Sequence, residues 1–316
     1  MTNKQKYRTL CEQEALPIFQ QAFWLDVTAG DEWDVALVEK GGQIVAAMPY
    51  TRAIGKLGII HLGQPPLTQH LGPWLKVQPG KYAKKLGREK DLMQELISKL
   101  PSYASYKQNW SWTIQNWLPF YWQGFEQTTG YTYQLQDLTN LETVWDQFET
   151  KIRGDIKKSS EREGVKVIQN ADLEEFIELN KLVFSRQGMK VPNSAEFIRR
   201  LDKVVGERKQ RKIFIAKDES GRMHAGLYLI WDSESAYYIM GGGDPALRNS
   251  GATSLCMWEA IKFAATVTQR FDFEGSMIEP VERFFRGFGA KQVPYFTVLH
   301  TTKGFLRVAK ALKAIW

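Results

Sequence analysis

Cysteine is almost absent: Cys11 and Cys256 are the only two in 316 residues. Two cysteines build neither a disulfide framework nor a zinc cluster. Histidine is scarce as well. His61, His70, His224 and His300 fall at no metal-ligand spacing, and the chain lacks H-E-x-x-H, G-x-S-x-G, a Walker loop and a dinucleotide fingerprint. No apolar run reaches the length of a membrane span. Met1–Lys6 has no apolar stretch behind its charges, so no signal peptide is expected, and the chain reads as cytoplasmic and soluble. Low-complexity tracts are missing too. Acidic charge is in deficit, 35 Asp and Glu against 42 Lys and Arg, for a net +7. That balance suits an anionic partner such as phosphate, RNA or an acidic membrane, and an ordinary solvated basic surface accounts for it equally.

The chain is long enough for two domains, and an internal repeat supports two. Ala36–Gly72 and Ile215–Gly251 align without a gap at an offset of 179. Gly42 meets Gly221, Ala46 meets Ala225, Ile60 meets Ile239, Gly63 meets Gly242, Pro66 meets Pro245, and Gly72 meets Gly251. The Gly and Pro matches fall where a backbone must turn or approach something closely. Each copy reads as three strands: 35–38, 44–51 and 57–62 in the first, 213–217, 223–231 and 236–240 in the second. The second copy then enters a helix from about Thr253 to Val267. The first is interrupted by Pro73-Trp74, and its helix is delayed to about Leu92–Leu100. Further strands are expected at Trp110–Ile114 and Phe271–Glu274. Aromatic helical segments follow at 120–125 and 284–288, and last strands at 131–135 and 295–300. Helices at 144–160, 173–186 and 195–205 precede the second copy. The expected fold is mixed α/β (α+β): two tandem domains, 1–138 and 139–316, each with a mostly antiparallel sheet flanked by helices.

The segment Asp244–Thr253 lies between a strand and a helix N-terminus, where free amides and the positive end of the helix dipole suit an anion. Arg248 can add charge, and Asn249, Ser250, Gly251 and Ala252 offer backbone. The spacing resembles the [Q/R]-x-x-G-x-[G/A] pyrophosphate loop of the GNAT acetyltransferases, with Thr253 in place of the last small residue. The first copy keeps Gln69 opposite Arg248 and then Gly72, but Trp74 is too bulky for a cradle. That marks the first half as a degenerate copy and the second as the one with the better-formed donor site. A plain strand–helix connection is the competing reading.

Three segments in order resemble the Fem-type transferases, which are two GNAT-like domains: Lys151–Lys158 with Glu163–Val167, Phe271–Ser276, and Phe284–Ala290. The resemblance spans the chain. It implies amide-bond formation on an amine of a cell-envelope precursor, peptidoglycan or lipid-linked, with aminoacyl-tRNA as donor. Relatives known as BioF2-like acetyltransferases leave the substrate open. The long helical arm of some Fem proteins is missing, and Phe285 stands where GNAT enzymes often carry an acid tyrosine.

Acyl transfer to an amine needs a base, an oxyanion site and an aligned donor. With period 2, Asp272 and Glu274 share a strand face. Glu274, nearest the strand end, is the base candidate, and a surface or capping carboxylate is the alternative. Backbone amides of Gly241, Gly242 and Gly243 can hold the oxyanion, or the triple glycine marks a β-bulge. Arg186 and Gln187 can bind an acceptor's phosphate or carboxylate, or simply end a helix. Trp24 can line the acceptor cleft or belong to the core. The basic stretch Lys303–Trp316 can lie on an anionic membrane or cover the protein body. No tightly bound cofactor and no metal is expected; the donor is aminoacyl-tRNA or acyl-CoA. Two other functions fit the same residues: an acyl-CoA-dependent N-acetyltransferase acting on a small molecule or saccharide, and a non-catalytic binding protein with a transferase fold.

Overall fold

The computed structural model describes residues 1–55, 58–186, 190–275, 277–302 and 304. The first elements are α1 (Asn3–Gln13), α2 (Ala22–Ala29), β1 (Trp33–Lys40), β2 (Gln43–Ile54), β3 (Ile60–Gly63), β4 (Trp74–Leu75), α3 (Tyr82–Ser98), β5 (Ser105–Asn109), α4 (Leu118–Trp122) and β6 (Glu126–Leu135). Then come α5 (Leu141–Asp146), α6 (Thr150–Lys157), β7 (Lys166–Gln169), α7 (Leu173–Arg186), α8 (Ala195–Glu207), β8 (Arg211–Lys217), β9 (Met223–Trp231) and β10 (Ala236–Gly243). The chain continues through α9 (Ala252–Ala264), β11 (Phe271–Asp272), α10 (Glu279–Arg286) and β12 (Lys291–Thr301). Two compact units result: Met1–Gly130 together with Pro294–Trp316, and Tyr131–Val293. A single cut at 138/139 is what the sequence suggests; by contacts, the described residues from Pro294 onward group with the first unit.

In the first unit β1 and β2 form a hairpin on the Gly41-Gly42 turn, both glycines at positive φ, the geometry that matches strand twist. β3 pairs antiparallel with β2 and parallel with β5, and residues 297–301 of β12 close the sheet against β5. Leu92, Met93 and Leu96 turn one stripe of α3 into a core that also holds Met48, Tyr106, Trp110, Phe120 and Val298. Where the second copy begins its helix, the first makes β4, which pairs with Ala46 and Ala47 of β2, so Trp74 is a strand residue. The expected strand over Trp110–Ile114 is instead β5 over Ser105–Asn109. The Trp110 ring is fully buried 4.6 Å from that of Phe120, and the aromatic alternation there reflects core packing.

In the second unit the order is β6-β11-β10-β9-β8-β7, antiparallel except between β10 and β11. β9 matches its expected span, and β8 begins at Arg211. α9 is buried on nearly every side, because it lies on β8 and β9 and is covered by α6. The helix expected over 144–160 is two helices, interrupted where Glu149 N–H donates to Gly287 O at 2.8 Å, and α6 ends in a π-helical turn at Lys158–Arg162. Phe148, Phe273, Phe285 and Phe288 form an aromatic core under α10. Phe285 is thus a packing residue.

Candidate active site

The site in the second unit starts from an interruption in the sheet. β10 pairs with β11 only at Ala236↔Phe271 and Tyr237↔Asp272, while β10 runs on to Gly243. Beyond Tyr237 its second edge has no strand beside it among the described residues. On the other edge the ladder with β9 sets Gly241, Gly242 and Gly243 opposite Leu227, Gly226 and Ala225, after a bulge at Tyr238/Met240. Asp244 N–H donates to His224 O at 2.8 Å. By the alternation of an antiparallel ladder, Gly242 then turns its amide toward β9, and Gly241 and Gly243 turn theirs to the open edge. The bulge lies just ahead of the glycines, two of whose amides face the open edge.

A side chain on either end glycine would collide with its neighbours. A Cβ on Gly241 would lie 2.5 Å from Gly226 O and 3.0 Å from the Tyr238 hydroxyl. A Cβ on Gly243 would lie 2.5 Å from Thr253 Oγ1 and 3.2 Å from His224 O. The second contact joins two predicted features, the glycine strand end and the helix start. Thr253, bulky for a cradle residue, fits because Gly243 leaves room for its hydroxyl.

The Asp244–Gly251 loop is held from three sides. Asp244 Oδ1 accepts from Ala246 N–H at 2.9 Å. A short 3-10 turn over Arg248–Ser250 leads to Gly251, which caps α9 at φ 75°. Gly251 was expected to be glycine so that a ligand could approach; its Cβ would instead overlap the Asp155 carbonyl of α6. Gly72, its repeat partner, also has positive φ, and a Cβ there would lie 2.7 Å from the Trp110 ring. Both glycines are demanded by packing against their own unit. Lys158 Nζ donates to Asn249 O at 2.6 Å. The Lys151–Lys158 motif thus buttresses the loop from α6. From beneath, Ser250 Oγ accepts Ala252 N–H at 3.3 Å and contacts His224 Nδ1 at 2.9 Å, while His224 Nε2 meets Asp218 Oδ2 at 3.2 Å. This Asp218–His224–Ser250 chain was not foreseen, since its members sit on separate turns of the sequence. Hydrogen bonds from Ser220, Arg222 and His224 hold the Asp218 carboxyl well below the usual carboxylate range. Arg248 and Asn249 are exposed, and Arg248 has no ion pair among the described residues.

β11 ends at Asp272, earlier than expected, so the period-2 argument does not reach Glu274. Glu274 has φ 58° and Gly275 φ 55°, two successive left-handed residues that turn the chain. A side chain at Gly275 would overlap the Tyr131 carbonyl. The turn is tied by Asp272, which accepts from Thr132 Oγ1, from Gln134 Nε2 at 2.7 Å and from Glu274 N–H at 2.8 Å. Burial pushes the Asp272 carboxyl up despite those donors. Glu274 is pushed well above the usual range, by burial first and then by the Asp272 and Asp232 charges. Its Oε1 is buried with no hydrogen-bond partner among the described residues. A carboxyl so placed holds its proton more tightly than an exposed one, and once ionised is a strong base.

Tyr238 was missed in the sequence. Its ring lies edge-on to Phe285 at 6.0 Å, and its hydroxyl stands over Gly241. Burial, with Cys256 adding to it, raises the phenol, so it remains a proton donor. The signal was present in the residue type: a phenol three residues before the glycines, on the strand that carries them.

Of the two sequence readings of Trp24, cleft or core, the structure places it in the core. It lies in the first unit, fully buried, with Nε1 donating to Thr68 Oγ1 at 2.9 Å and its ring edge-on to Phe19. Arg186 ends α7. Gln187 and the stretch 305–316 lie outside the described residues.

Residues 146–284 match the acetyltransferase (GNAT) domain family. The match falls within the second unit. Solved structures extend the GNAT likeness of fold to the whole chain. FemX has 13% identity and a TM-score of 0.67 over 94% of this chain and 96% of its own. The C-terminal domain of a putative lysylphosphatidylglycerol synthetase from Agrobacterium fabrum has 10% identity and a TM-score of 0.57 over 99% and 95%. A tandem GNAT protein from the clavulanic acid biosynthesis pathway has 11% identity and a TM-score of 0.53 over 94% of each chain. At such identities the likeness is one of fold. No curated protein matches the chain. Among the described residues no group of His, Cys, Asp and Glu can hold a metal, and no helix is long and apolar enough to cross a membrane.

Proposed function

We propose that this GNAT protein forms an amide bond by moving an aminoacyl or acyl group onto an amine of a cell-envelope precursor. The observation that carries the reading is the free edge of β10. It offers the amides of Gly241 and Gly243 beside the start of α9, so one short segment supplies an oxyanion site and an anion site together. The donor's phosphates rest on the Arg248–Ala252 loop, with Arg248 free to pair with them. The donor carbonyl oxygen accepts from the Gly241 and Gly243 amides. Glu274, once ionised, takes the proton from the attacking amine. Tyr238, in place of Phe285, gives a proton to the leaving oxygen or sulfur.

The envelope acceptor and the aminoacyl donor draw support from the Fem-type motifs at Lys151–Lys158, Phe271–Ser276 and Phe284–Ala290, and from the shared fold with FemX and the lysylphosphatidylglycerol synthetase domain. The second reading, acetyl transfer from acyl-CoA, draws on the GNAT family match over 146–284. Incubation with charged tRNA and with acetyl-CoA, each with an amine acceptor, separates the two. Acceptor-dependent loss of charge from tRNA is the expected result, and release of free thiol favours the second reading. Neither outcome, with CoA or tRNA bound, would leave a binding protein with a transferase fold.

A further inference from the structure

The first unit reads as a degenerate copy without an acyl donor of its own, and it holds a cavity of about 950 Å³ between β4 and the N-terminal half of α3. That volume lies in the range of sites that hold a nucleotide-sized molecule. Its lining is of two kinds. Leu75, Leu92 and Ile114 give it an apolar floor, while Lys84, Lys85 and Arg88 line it from α3.

The charge on α3 is poorly arranged for an isolated helix. Lys81, Lys84, Lys85 and Arg88 precede the first acid, Glu89, and no acidic residue lies in the first turn. Cations at the positive pole of a helix repel it and one another. Arg88 donates to Gln78, but Lys84 and Lys85 have no ion pair among the described residues. Glu89 and Asp91 also line the cavity and leave the cations in excess.

A second observation is independent of charge. Gly87 sits inside α3, where glycine weakens a helix, and it lines the cavity. A Cβ there would meet nothing within 4 Å, so no contact within the protein requires the glycine. What its missing side chain provides is open wall, where a ligand can lie against the helix backbone.

We propose that this cavity binds a phosphate-bearing ligand with an apolar or ring-shaped body, its phosphates on Lys84, Lys85 and Arg88 and its body against Leu75 and Ile114 along Gly87. A soluble nucleoside diphosphate and a phospholipid headgroup share this chemistry, and the test separates them. The site is distinct from the Arg248 loop, so the test is run in the full chain carrying Arg248→Ala, which weakens that loop, and binding that remains there is told apart by its indifference to changes on α3. ADP is titrated by calorimetry, and vesicles of phosphatidylcholine with and without phosphatidylglycerol are tested by co-sedimentation. Saturable ADP binding identifies the soluble source; binding only to phosphatidylglycerol vesicles identifies the lipid source. In either case Lys84→Glu with Lys85→Glu is expected to weaken binding roughly tenfold or more, since two attractions become repulsions. Gly87→Leu is expected to abolish binding without lowering the melting temperature, because leucine favours the helix while filling the cavity. Absence of binding by both probes, or binding indifferent to the double reversal and to Gly87→Leu, overturns the proposal.

Discussion

The contact between Gly243 and Thr253 makes a strong prediction because its two sides can be changed separately. Gly243→Ala places a methyl 2.5 Å from Thr253 Oγ1 and 3.2 Å from His224 O. The first distance is far inside normal contact, and the second asks for a shift of a few tenths of an ångström. Gly243 lies in a β-strand with an ordinary φ, so alanine carries no backbone penalty. It even gains about 0.4–1 kcal/mol by restricting the unfolded chain. Overpacking costs about 1–3 kcal/mol, so the net single-variant loss is at most about 2.6 kcal/mol. Thr253→Ala alone, at a half-buried position, should cost about 1 kcal/mol or less. Together the two should do better than their sum, because the second removes the atom that the first collides with. A coupling of at least about 1 kcal/mol is expected, well beyond the roughly 0.3–0.5 kcal/mol scatter of independent sites. Urea unfolding of the four proteins of the cycle measures it. Additivity within that scatter would mean that the strand end and the helix start are not in contact, and the proposed anion and oxyanion sites would no longer adjoin.

Glu274→Gln tests the buried carboxyl by pH. A raised native value means that stability is whole below the ordinary glutamate range and is lost as pH rises through the native value, so the variant's advantage over the parent should grow from pH 4 to pH 8. A pH-independent difference in unfolding free energy would refute that. The same variant should lose most turnover if Glu274 is the base, typically by a factor of about 10²–10⁴. Arg248→Ala should raise the donor KM roughly three- to tenfold and leave the melting temperature in place, since the side chain is exposed and has no ion pair among the described residues. Tyr238→Phe should lower kcat at nearly constant KM, and an unchanged kcat would return the proton-donor role to another group.

What could be read from the sequence followed from local chemistry. β8, β9 and β10 were evident because a turn residue bounds each apolar run, as at Gly221, and α7 because its apolar residues repeat at helical spacing. The matched Gly72 and Gly251 did mark equivalent stations, but the reason for both glycines lies in a side chain or carbonyl far away in sequence. The same distance hid the Asp218–His224–Ser250 chain and the role of Thr132 and Gln134 in holding Asp272. Glu274 was misplaced for a different reason. A left-handed glutamate is rare, and only the ties around Asp272 and Gly275 make it tenable. Trp24 shows the limit of residue type alone: a tryptophan serves a cleft or a core equally well until its neighbours are known.

The placement of β12 sets the timetable of synthesis. A ribosome delivers the first unit's other strands early, but the partner of β5 follows only after the whole second unit. Until it emerges, β5 presents an unsatisfied backbone edge, the kind of surface that recruits stray strands and invites chaperones. A nascent chain halted before residue 294 should therefore hold the second unit whole while the first unit's sheet still lacks a strand, so the later unit closes before the earlier one.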